Sequence, residues 1–238
     1  MKNVIILCSG GIDSVTTAYY ARNKLNYDKI ILLFFDYGQK SINIERRCAK
    51  NTAKKLGAKF REIKIAELGE LSTSLINKKG KVKNLELNDL KDTRKEGAKW
   101  YVPFRNAVFL VYALAFAESI FVRDGENYDL FVGFKSDMGE GYPDTSLKFL
   151  NDIERIGKYS KANGFRIKAP FIDKEKEDII SLGNKLGIDF KESFSCYVGR
   201  KMHCGTCLAC RLRQEGFYWA NIKDPTEYKE KPNDLRLA

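Results

Sequence analysis

Short apolar runs alternate with amphipathic stretches in the first part of the chain. The amphipathic stretches predict two helices, one opening at Asp13 and Ser14 and one over Glu45–Leu56. The apolar runs are continuous, which is typical of strands that are buried on both faces of a sheet. This alternation predicts an α/β fold with a parallel, doubly wound sheet. The predicted strands are Val4–Cys8, Ile30–Phe35 and Phe60–Ile65.

The pattern changes after the third strand. Ala66–Lys99 is polar with few apolar anchors, so we expect a surface excursion or a lid. Beyond it, Phe134–Thr145 reads as a polar loop and Lys223–Ala238 as a charged tail. We therefore expect an α/β domain over residues 1–190 and a small helical, cysteine-rich region over 191–238. The predicted elements are helices Ala107–Ser119, Ser146–Ala162 and Lys174–Leu186 and strands Tyr128–Gly133 and Phe165–Lys168.

Composition indicates a globular chain. Of its 238 residues, 44% are hydrophobic and 31% are charged. The longest purely apolar run, Ala107–Ala117, is too short to span a bilayer, and the apolar stretch after Asn3 is too short for a signal peptide. We therefore expect a cytoplasmic protein without a membrane partner. The net charge of +11 fits an anionic substrate or partner, but the basic residues are spread evenly, which general solubility would also explain.

Four of the six cysteines crowd together near the C-terminus. In a cytoplasmic chain, such crowding favours a metal site over disulfides. Zn²⁺ prefers four thiolates in a tetrahedron, and a closed shell of four is typical of a structural site. An iron–sulfur cluster and free thiols are the alternatives, and His203 is expected to be a bystander. The predicted ligands are Cys196, Cys204, Cys207 and Cys210.

The segment Ser9–Ser14, of sequence S-G-G-I-D-S, joins the first strand to the first helix. Glycines let the backbone approach a ligand closely, and a helix start binds anions. The segment fits neither the dinucleotide fingerprint nor the Walker A pattern. Asp13 would repel phosphate unless a cation bridged them, so it points to Mg²⁺. The structural alternative is a tight turn in which Asp13 caps the helix.

The same segment matches the PP-loop signature of ATP pyrophosphatases, which cleave ATP between the α- and β-phosphates and transfer AMP to a substrate oxygen. Together with the cysteine pattern, it makes the chain resemble the QueC family of 7-cyano-7-deazaguanine synthases from about Val4 to Phe217. The other shared motifs are Phe35-Asp36-Tyr37-Gly38-Gln39, Val102–Asn106, Gly141–Asp144, Ala169–Phe171 with Lys176, Ser195–Tyr197, and the run from Cys204 to Arg213.

This resemblance implies a PP-loop/HUP-like nucleotide-binding fold and a reaction that uses ATP, Mg²⁺ and structural Zn²⁺. In the family, 7-carboxy-7-deazaguanine is adenylated on its carboxylate, and ammonia displaces AMP to give an amide. A second ATP then drives dehydration to the nitrile, which feeds queuosine or archaeosine modification of tRNA. The resemblance also implies a homodimer, and we expect no direct nucleic-acid partner.

Site residues follow from matching positions in the motifs. The alternatives are a helix cap for Arg105 and Asn106, a loop turn for Asp144, and a solvated face for Lys176. The resemblance assigns catalysis to Asp13, Ser14, Arg105 and Lys176. It assigns nucleotide binding to Ser9, Gly10, Gly11, Asp13, Ser14, Phe35, Asp36 and Tyr37, and substrate binding to Arg105, Asn106, Tyr142 and Asp144.

Two departures from the family pattern bear on the substrate. Ile12 stands where the family typically has Gln, and Thr145-Ser146 stands where it has Cys-Arg. Loss of the arginine removes a cation that could pair with a carboxylate. The alternative is therefore a divergent QueC-like or other PP-loop adenylating enzyme. Such an enzyme would form an amide on a related deazapurine acid, with an acceptor that includes a protein amine, or would modify tRNA.

Overall fold

The computed structural model describes residues 2–135, 142–162, 164–230, 232 and 234. Its sheet has five parallel strands in the order β3-β2-β1-β4-β5. The strands are β1 Asn3–Leu7, β2 Lys29–Asp36, β3 Lys59–Lys64, β4 Asp129–Val132 and β5 Ile167–Lys168. The helices are α1 Ile12–Asn23, α2 Ile42–Leu56, α3 Ala66–Leu71, α4 Arg94–Ala98, α5 Arg105–Asp124, α6 Leu147–Gly157, α7 Lys176–Lys185 and α8 Leu208–Trp219. The predicted α/β class is confirmed.

Both faces of the sheet are buried. Successive strand side chains point to opposite faces, and in β1 Val4 and Ile6 join one hydrophobic cluster while Ile5 joins the other. The first cluster also holds side chains of α1, α2, α7 and α8, and the second holds those of α5 and α6. The doubly wound arrangement therefore follows from strands that are apolar on both sides.

Three helices have an end that lies three or more residues from the predicted one. α2 begins at Ile42, three residues before Glu45. α5 runs to Asp124 because no breaker interrupts it before Gly125, whose φ of 70° ends the helix. α6 stops at Gly157, five residues before the predicted end, where the chain tightens into successive i→i+3 turns at Lys158 and Tyr159. The remaining boundaries fall within two residues of the predicted ones for β1, β3, β4, β5 and α7.

The Ala66–Lys99 segment is better anchored than predicted. Leu68, Ile76 and Leu85 are all buried, so the expectation of few apolar anchors is wrong. The Leu85 N–H donates to the Thr206 carbonyl at 3.0 Å, which ties the segment to the cysteine-rich region. Its apolar residues follow no regular period, and for that reason a periodicity argument misses them.

Among the described residues, α5 is long and apolar enough to cross a membrane by length and composition alone. Its Leu110, Ala113 and Ala117 are completely buried against the sheet. The core helix of a soluble protein satisfies the same two criteria, so this helix is weak evidence for a membrane span. The expectation of no transmembrane helix stays a prediction.

The cysteine-rich region packs directly on the rest of the chain. α8 lies against α7, and the four clustered cysteines belong to the same hydrophobic cluster as α5. The division into domains at residues 190 and 191 stays a prediction. Gly141, with residues 136–140 of the predicted loop, lies outside the described residues, as do 231, 233 and 235–238 of the tail.

Candidate active site

A cavity of ≈ 340 Å³ opens at the carboxyl ends of the central strands. Leu7 of β1 pairs in register with Leu33 of β2 on one side and Val132 of β4 on the other, and all three line the cavity. The strand order reverses direction at β1, and such a reversal leaves a crevice where α/β proteins bind ligands. The volume lies within the range of small-molecule sites.

The β1–α1 loop forms one wall of this cavity. Gly10 has a φ of 79°, and a Cβ at this position would lie 2.7 Å from the Glu45 carbonyl oxygen and 2.8 Å from Cys48 Cβ. Only glycine satisfies both conditions. α1 begins at Ile12 with Gly11 as its N-cap, and no side chain caps it, so the capping alternative for Asp13 is not what the structure shows. The first N–H groups of α1 are thus left for an anion.

The two serines of the loop come together at the same helix start. Ser9 Oγ lies 3.2 Å from Ser14 Oγ, and the Ser14 hydroxyl also donates to the Gly11 carbonyl at 3.2 Å. Both serines and Gly11 line the cavity, whereas Gly10 lies behind it against α2. The loop therefore presents hydroxyl and backbone donors together.

A charged pair stands beside the loop. Lys176 is the first residue of α7, and its Nζ lies 2.7 and 2.6 Å from Oδ1 and Oδ2 of Asp13. Both side chains are about one quarter exposed and line the cavity. Lys176 is thus part of the site and does not sit on a solvated helix face.

An aromatic wall faces the loop. Phe35 lies parallel to Phe109 of α5, with ring centroids 4.1 Å apart and planes 4° apart, and Tyr37 meets the same ring edge-on at 5.3 Å. Asp36 points to the other side of the strand, where its Oδ2 accepts from Arg46 Nη2 at 3.0 Å. The structure therefore brings Phe35 and Tyr37 to the cavity but not Asp36.

Arg105 and Asn106 open α5 at the cavity. The Arg105 guanidinium lies 5.8 Å from the Tyr37 ring centre, with Nη1 3.5 Å from the Tyr37 hydroxyl. Asn106 donates through its backbone N–H to Asp144 Oδ2 at 3.3 Å and through Nδ2 to the Asp144 carbonyl at 3.2 Å. Arg105 and Asn106 line the cavity, while Asp144 lies behind Asn106 with its Oδ1 buried and unpaired among the described residues.

Tyr142 is also outside the cavity wall. Its hydroxyl donates to the Gly97 carbonyl at 3.1 Å, and its ring stacks on Tyr101 at 6.0 Å. Substrate binding by Tyr142 and Asp144 stays a prediction.

The four clustered cysteines are buried, unbridged and suited to a metal ion. Their Sγ atoms all lie within 4.8 Å of one another. The Cys204–Cys210 and Cys196–Cys207 sulfur pairs are 3.8 and 4.0 Å apart, close to the edge of ~3.8 Å that a tetrahedral zinc–sulfur site requires. The set is compatible with zinc.

The cysteine cluster shares a segment with the cavity. Ser195 and Tyr197 line the cavity on either side of Cys196, and the Ser41 hydroxyl donates to the Cys196 carbonyl at 2.8 Å. His203 lies outside the group of four sulfurs, and its Nε2 accepts the Ser195 N–H at 3.1 Å. Burial lowers the pKa of His203 to about 3, so it stays a neutral acceptor.

Sequence reasoning did not assign several residues of this wall. Arg213 is fully buried and donates to the Ser193 and Ser195 hydroxyls at 2.9 and 3.2 Å, and it belongs to a motif quoted for the family resemblance. Glu45 carried no such signal, because an acidic residue in the first turn of an amphipathic helix is typical of ordinary helices. Four more residues line the cavity without having been assigned from the sequence: Gln39, Phe109, Ser195 and Tyr197.

Comparison with known proteins gives the family. The family model described as "Queuosine biosynthesis protein QueC" matches residues 3–221. The 7-cyano-7-deazaguanine synthase of Methanosphaera stadtmanae is 38% identical over 230 residues, covering 95% of this chain and 98% of the relative. That of Methanobrevibacter smithii is 34% identical over 233 residues, covering 96% and 99%. The solved NMN synthetase of Francisella tularensis aligns with 94% of this chain and 79% of its own at 14% identity, with a TM-score of 0.45, too distant to bear on function. The chain belongs to the QueC family of queuosine biosynthesis proteins.

Proposed function

We propose that this chain is an ATP-dependent 7-cyano-7-deazaguanine synthase. It would convert 7-carboxy-7-deazaguanine and ammonia into the nitrile through an adenylated carboxylate and an amide. The observation that carries the proposal is the uncapped start of α1, which opens with Asp13 onto the central cavity of a QueC-family chain. Such a helix start can hold the pyrophosphate that leaves when AMP is transferred.

The nucleotide would lie between the loop and the aromatic wall. The backbone from Gly11 to Ser14 and the serine hydroxyls would bind the phosphates, and the stacked Phe35 and Phe109 would form an apolar surface for the adenosine. In this proposed placement Arg105, which lines the same cavity, would face the reacting phosphate. Binding energy at both ends would then orient the reacting phosphate.

Among the positively charged side chains that line the cavity in the described structure, Arg105 is best suited to bind the carboxylate of the substrate. Lys176 is paired with Asp13, and Arg213 is held by Ser193 and Ser195. Arg105 contacts only neutral partners, the Tyr37 hydroxyl and the Asn106 amide oxygen, among the described residues. Its guanidinium would orient the substrate carboxylate toward the α-phosphorus and balance its charge.

Asp13, with the hydroxyls of Ser9 and Ser14, offers the oxygen ligands that Mg²⁺ prefers. The ion, when bound, would neutralise charge on the pyrophosphate. Lys176 would then share Asp13 with it or turn toward a phosphate oxygen. The four cysteines would hold Zn²⁺ in a purely structural role, because their closed shell leaves no open position.

A product assay tests the proposal. Incubation with ATP, ammonia and 7-carboxy-7-deazaguanine, read by mass spectrometry, should show the acid, then the amide, then the nitrile. AMP and pyrophosphate should appear only when the acid is present. Formation of ADP instead would reject the proposal. We further propose a cytoplasmic homodimer without a direct nucleic-acid partner, which light scattering with and without tRNA would test.

A second candidate rests on the chain between Tyr142 and α6. Where the family has Cys-Arg, Thr145 Oγ donates to the Tyr142 carbonyl at 2.9 Å, and Ser146 Oγ accepts from the Phe149 N–H at 3.1 Å as the N-cap of α6. These side chains serve local turns and offer no cation. The alternative is an enzyme that forms an amide on a related deazapurine acid, with a protein amine as acceptor, or one that modifies tRNA. In the same assay it would leave 7-carboxy-7-deazaguanine unchanged.

A further inference from the structure

The proposed reaction needs a proton acceptor inside the cavity. Near neutral pH ammonia is almost entirely protonated, as the amine of lysine is, and ammonium has no lone pair for attack. A base must therefore remove one proton before the carbon–nitrogen bond forms. Further protons leave the same nitrogen as the amide and then the nitrile are made. A positioned side chain that titrates near the working pH serves such steps best.

Histidine, the usual choice, is not available for this task. The chain has one histidine, His203, which does not line the cavity. Its Nε2 is occupied by the Ser195 N–H at 3.1 Å. Among the described residues, the carboxylates that line the cavity are Asp13 and Glu45. Asp13 engages Lys176 with both of its oxygens, which leaves Glu45 as the carboxylate of the wall without an ion pair in the described structure.

Glu45 lies in the first turn of α2, against the β1–α1 loop. Its backbone carbonyl is the atom that a Cβ on Gly10 would meet at 2.7 Å, so the residue borders the loop directly. Its Oε2 accepts a hydrogen bond from Gln39 Nε2 at 3.1 Å. Oε1 has no hydrogen-bond partner among the described residues. One carboxylate oxygen is thus anchored and the other is available to a ligand.

Gln39 holds this carboxylate in one orientation. The same Nε2 also donates to the Phe35 carbonyl at 2.9 Å, and Oε1 of Gln39 accepts the Tyr37 N–H at 2.9 Å. The amide therefore cannot turn over without losing backbone hydrogen bonds at the end of β2. These two contacts fix the amide, and its NH₂ group also donates to Glu45 Oε2, so the carboxylate is positioned by a rigid element.

The surroundings of Glu45 suit proton transfer. Burial raises the pKa of Glu45 to about 7, an effect that the Gln39 hydrogen bond and the Arg105 charge only partly offset. The titratable groups that face it are Arg105 from α5, Tyr37 from the end of β2 and Cys48 from α2 itself. Burial keeps Tyr37 and Cys48 neutral, because it raises the pKa of both. Arg105 is the one constant charge among them.

We propose that Glu45 is the catalytic base that generates ammonia from ammonium in this cavity, an inference that rests on the function proposed above. Oε1 takes a proton as an N–H bond of ammonium breaks. The freed lone pair forms the bond to the acyl carbon, and the carbon–oxygen bond to AMP breaks with its electron pair leaving on AMP. Glu45 releases its proton to solvent and accepts the next one from the new nitrogen.

The substitution Glu45→Gln tests this role with little change in shape. Glutamine keeps an oxygen for Gln39 but cannot take a proton. Adenylation of 7-carboxy-7-deazaguanine precedes any step at nitrogen. It can be followed as exchange of labelled pyrophosphate into ATP in the presence of this acid, and the rate of that exchange should be unchanged. Amide formation from ammonia should fall by about 10²-fold or more. Glu70→Gln, the same change at an exposed glutamate of α3, should alter neither rate.

An assay with hydroxylamine in place of ammonia distinguishes a proton-accepting role of Glu45 from a structural one. Hydroxylamine is largely unprotonated near neutral pH, so it attacks the acyl-adenylate without help from a base. Glu45→Gln should therefore form the hydroxamate at nearly the wild-type rate. Equal losses with ammonia and hydroxylamine, or an unchanged rate with ammonia, would overturn the inference while leaving the proposed function standing. If the wild-type enzyme showed no pyrophosphate exchange in the presence of 7-carboxy-7-deazaguanine, both the role of Glu45 and the proposed function would be overturned.

Discussion

The Nζ of Lys176 lies within 2.7 Å of both carboxylate oxygens of Asp13, so the first residue of α7 meets the first turn of α1 at the cavity. Each of these side chains neutralises the other in the absence of ligand. If a phosphate bound together with a cation, Asp13 would pair with the cation and Lys176 with the phosphate, in place of their pairing with each other. The pair is therefore a place where nucleotide binding and helix packing compete for the same charges.

Replacing Asp13 by Asn should abolish turnover and preserve the fold. The amide keeps the size of the side chain but cannot ligate a cation or pair with Lys176. Steady-state rates and circular dichroism together check this outcome. Asp173→Asn, at an exposed aspartate just before α7, is the matched control and should behave as wild type. Full activity in Asp13→Asn would reduce Asp13 to an ordinary first-turn residue of α1.

Replacing Gly10 by Ala should do more damage than the same change at Gly57. Both glycines have a positive φ, 79° and 58°, so alanine is strained by about 1–2 kcal/mol at each. Only Gly10 also meets backbone, 2.7 Å from the Glu45 carbonyl oxygen, whereas nothing lies within 4 Å of Gly57. Urea unfolding should show the larger loss of stability for Gly10→Ala, and ATP affinity should fall in that variant alone. Equal effects of the two changes would contradict the proposed packing.

Metal analysis of the purified protein should find about one zinc per chain. Cys207→Ser removes one of four ligands, so zinc content should fall and the protein should unfold at a lower urea concentration. Cys48→Ala, which alters a buried cysteine outside the cluster, should keep its zinc. Full zinc in a folded Cys207→Ser protein would refute the ligand assignment.

The raised pKa of Glu45 also predicts a pH dependence of stability. The carboxyl has a pKa of about 7 in the folded protein against a usual value of 4.5, so the folded state holds the proton more tightly. The contribution of Glu45 to stability is therefore most favourable below the lower value and is lost as pH rises to about 7. Glu45→Gln lacks this loss, so the variant should gain in urea midpoint relative to wild type across that range. A constant difference between the two proteins would argue against the raised pKa.

The β1–α1 loop and the cysteine cluster could both be predicted because their chemistry is local in sequence. Glycines at Gly10 and Gly11 and three closely spaced cysteines each obey a spacing rule that does not depend on the rest of the fold. The parallel, doubly wound class of the sheet was equally accessible, since alternating strands and helices leave few arrangements. These features needed no knowledge of distant contacts.

Other parts of the site depend on tertiary packing. From the sequence, Glu45 is an ordinary first-turn residue of a helix, and only the packing of α2 against the β1–α1 loop brings it to the cavity. Phe109 likewise has the pattern of a core residue, and only the structure shows that it stacks on Phe35. Asp36 is different, because the two-residue period of a strand already separates it from Phe35 and Tyr37. The strand period alone therefore indicates that Asp36 faces away from the cavity.

Cys196 sits in the chain between two residues of the cavity wall, Ser195 and Tyr197. The thiolate and its neighbours share one short stretch of backbone, which Ser41 and His203 also hold. If the cysteines hold zinc, protein prepared with strong chelators would lose the cavity wall around Ser195 and Tyr197 along with the ion. Inactive preparations could then reflect handling of the sample instead of an unsuitable substrate.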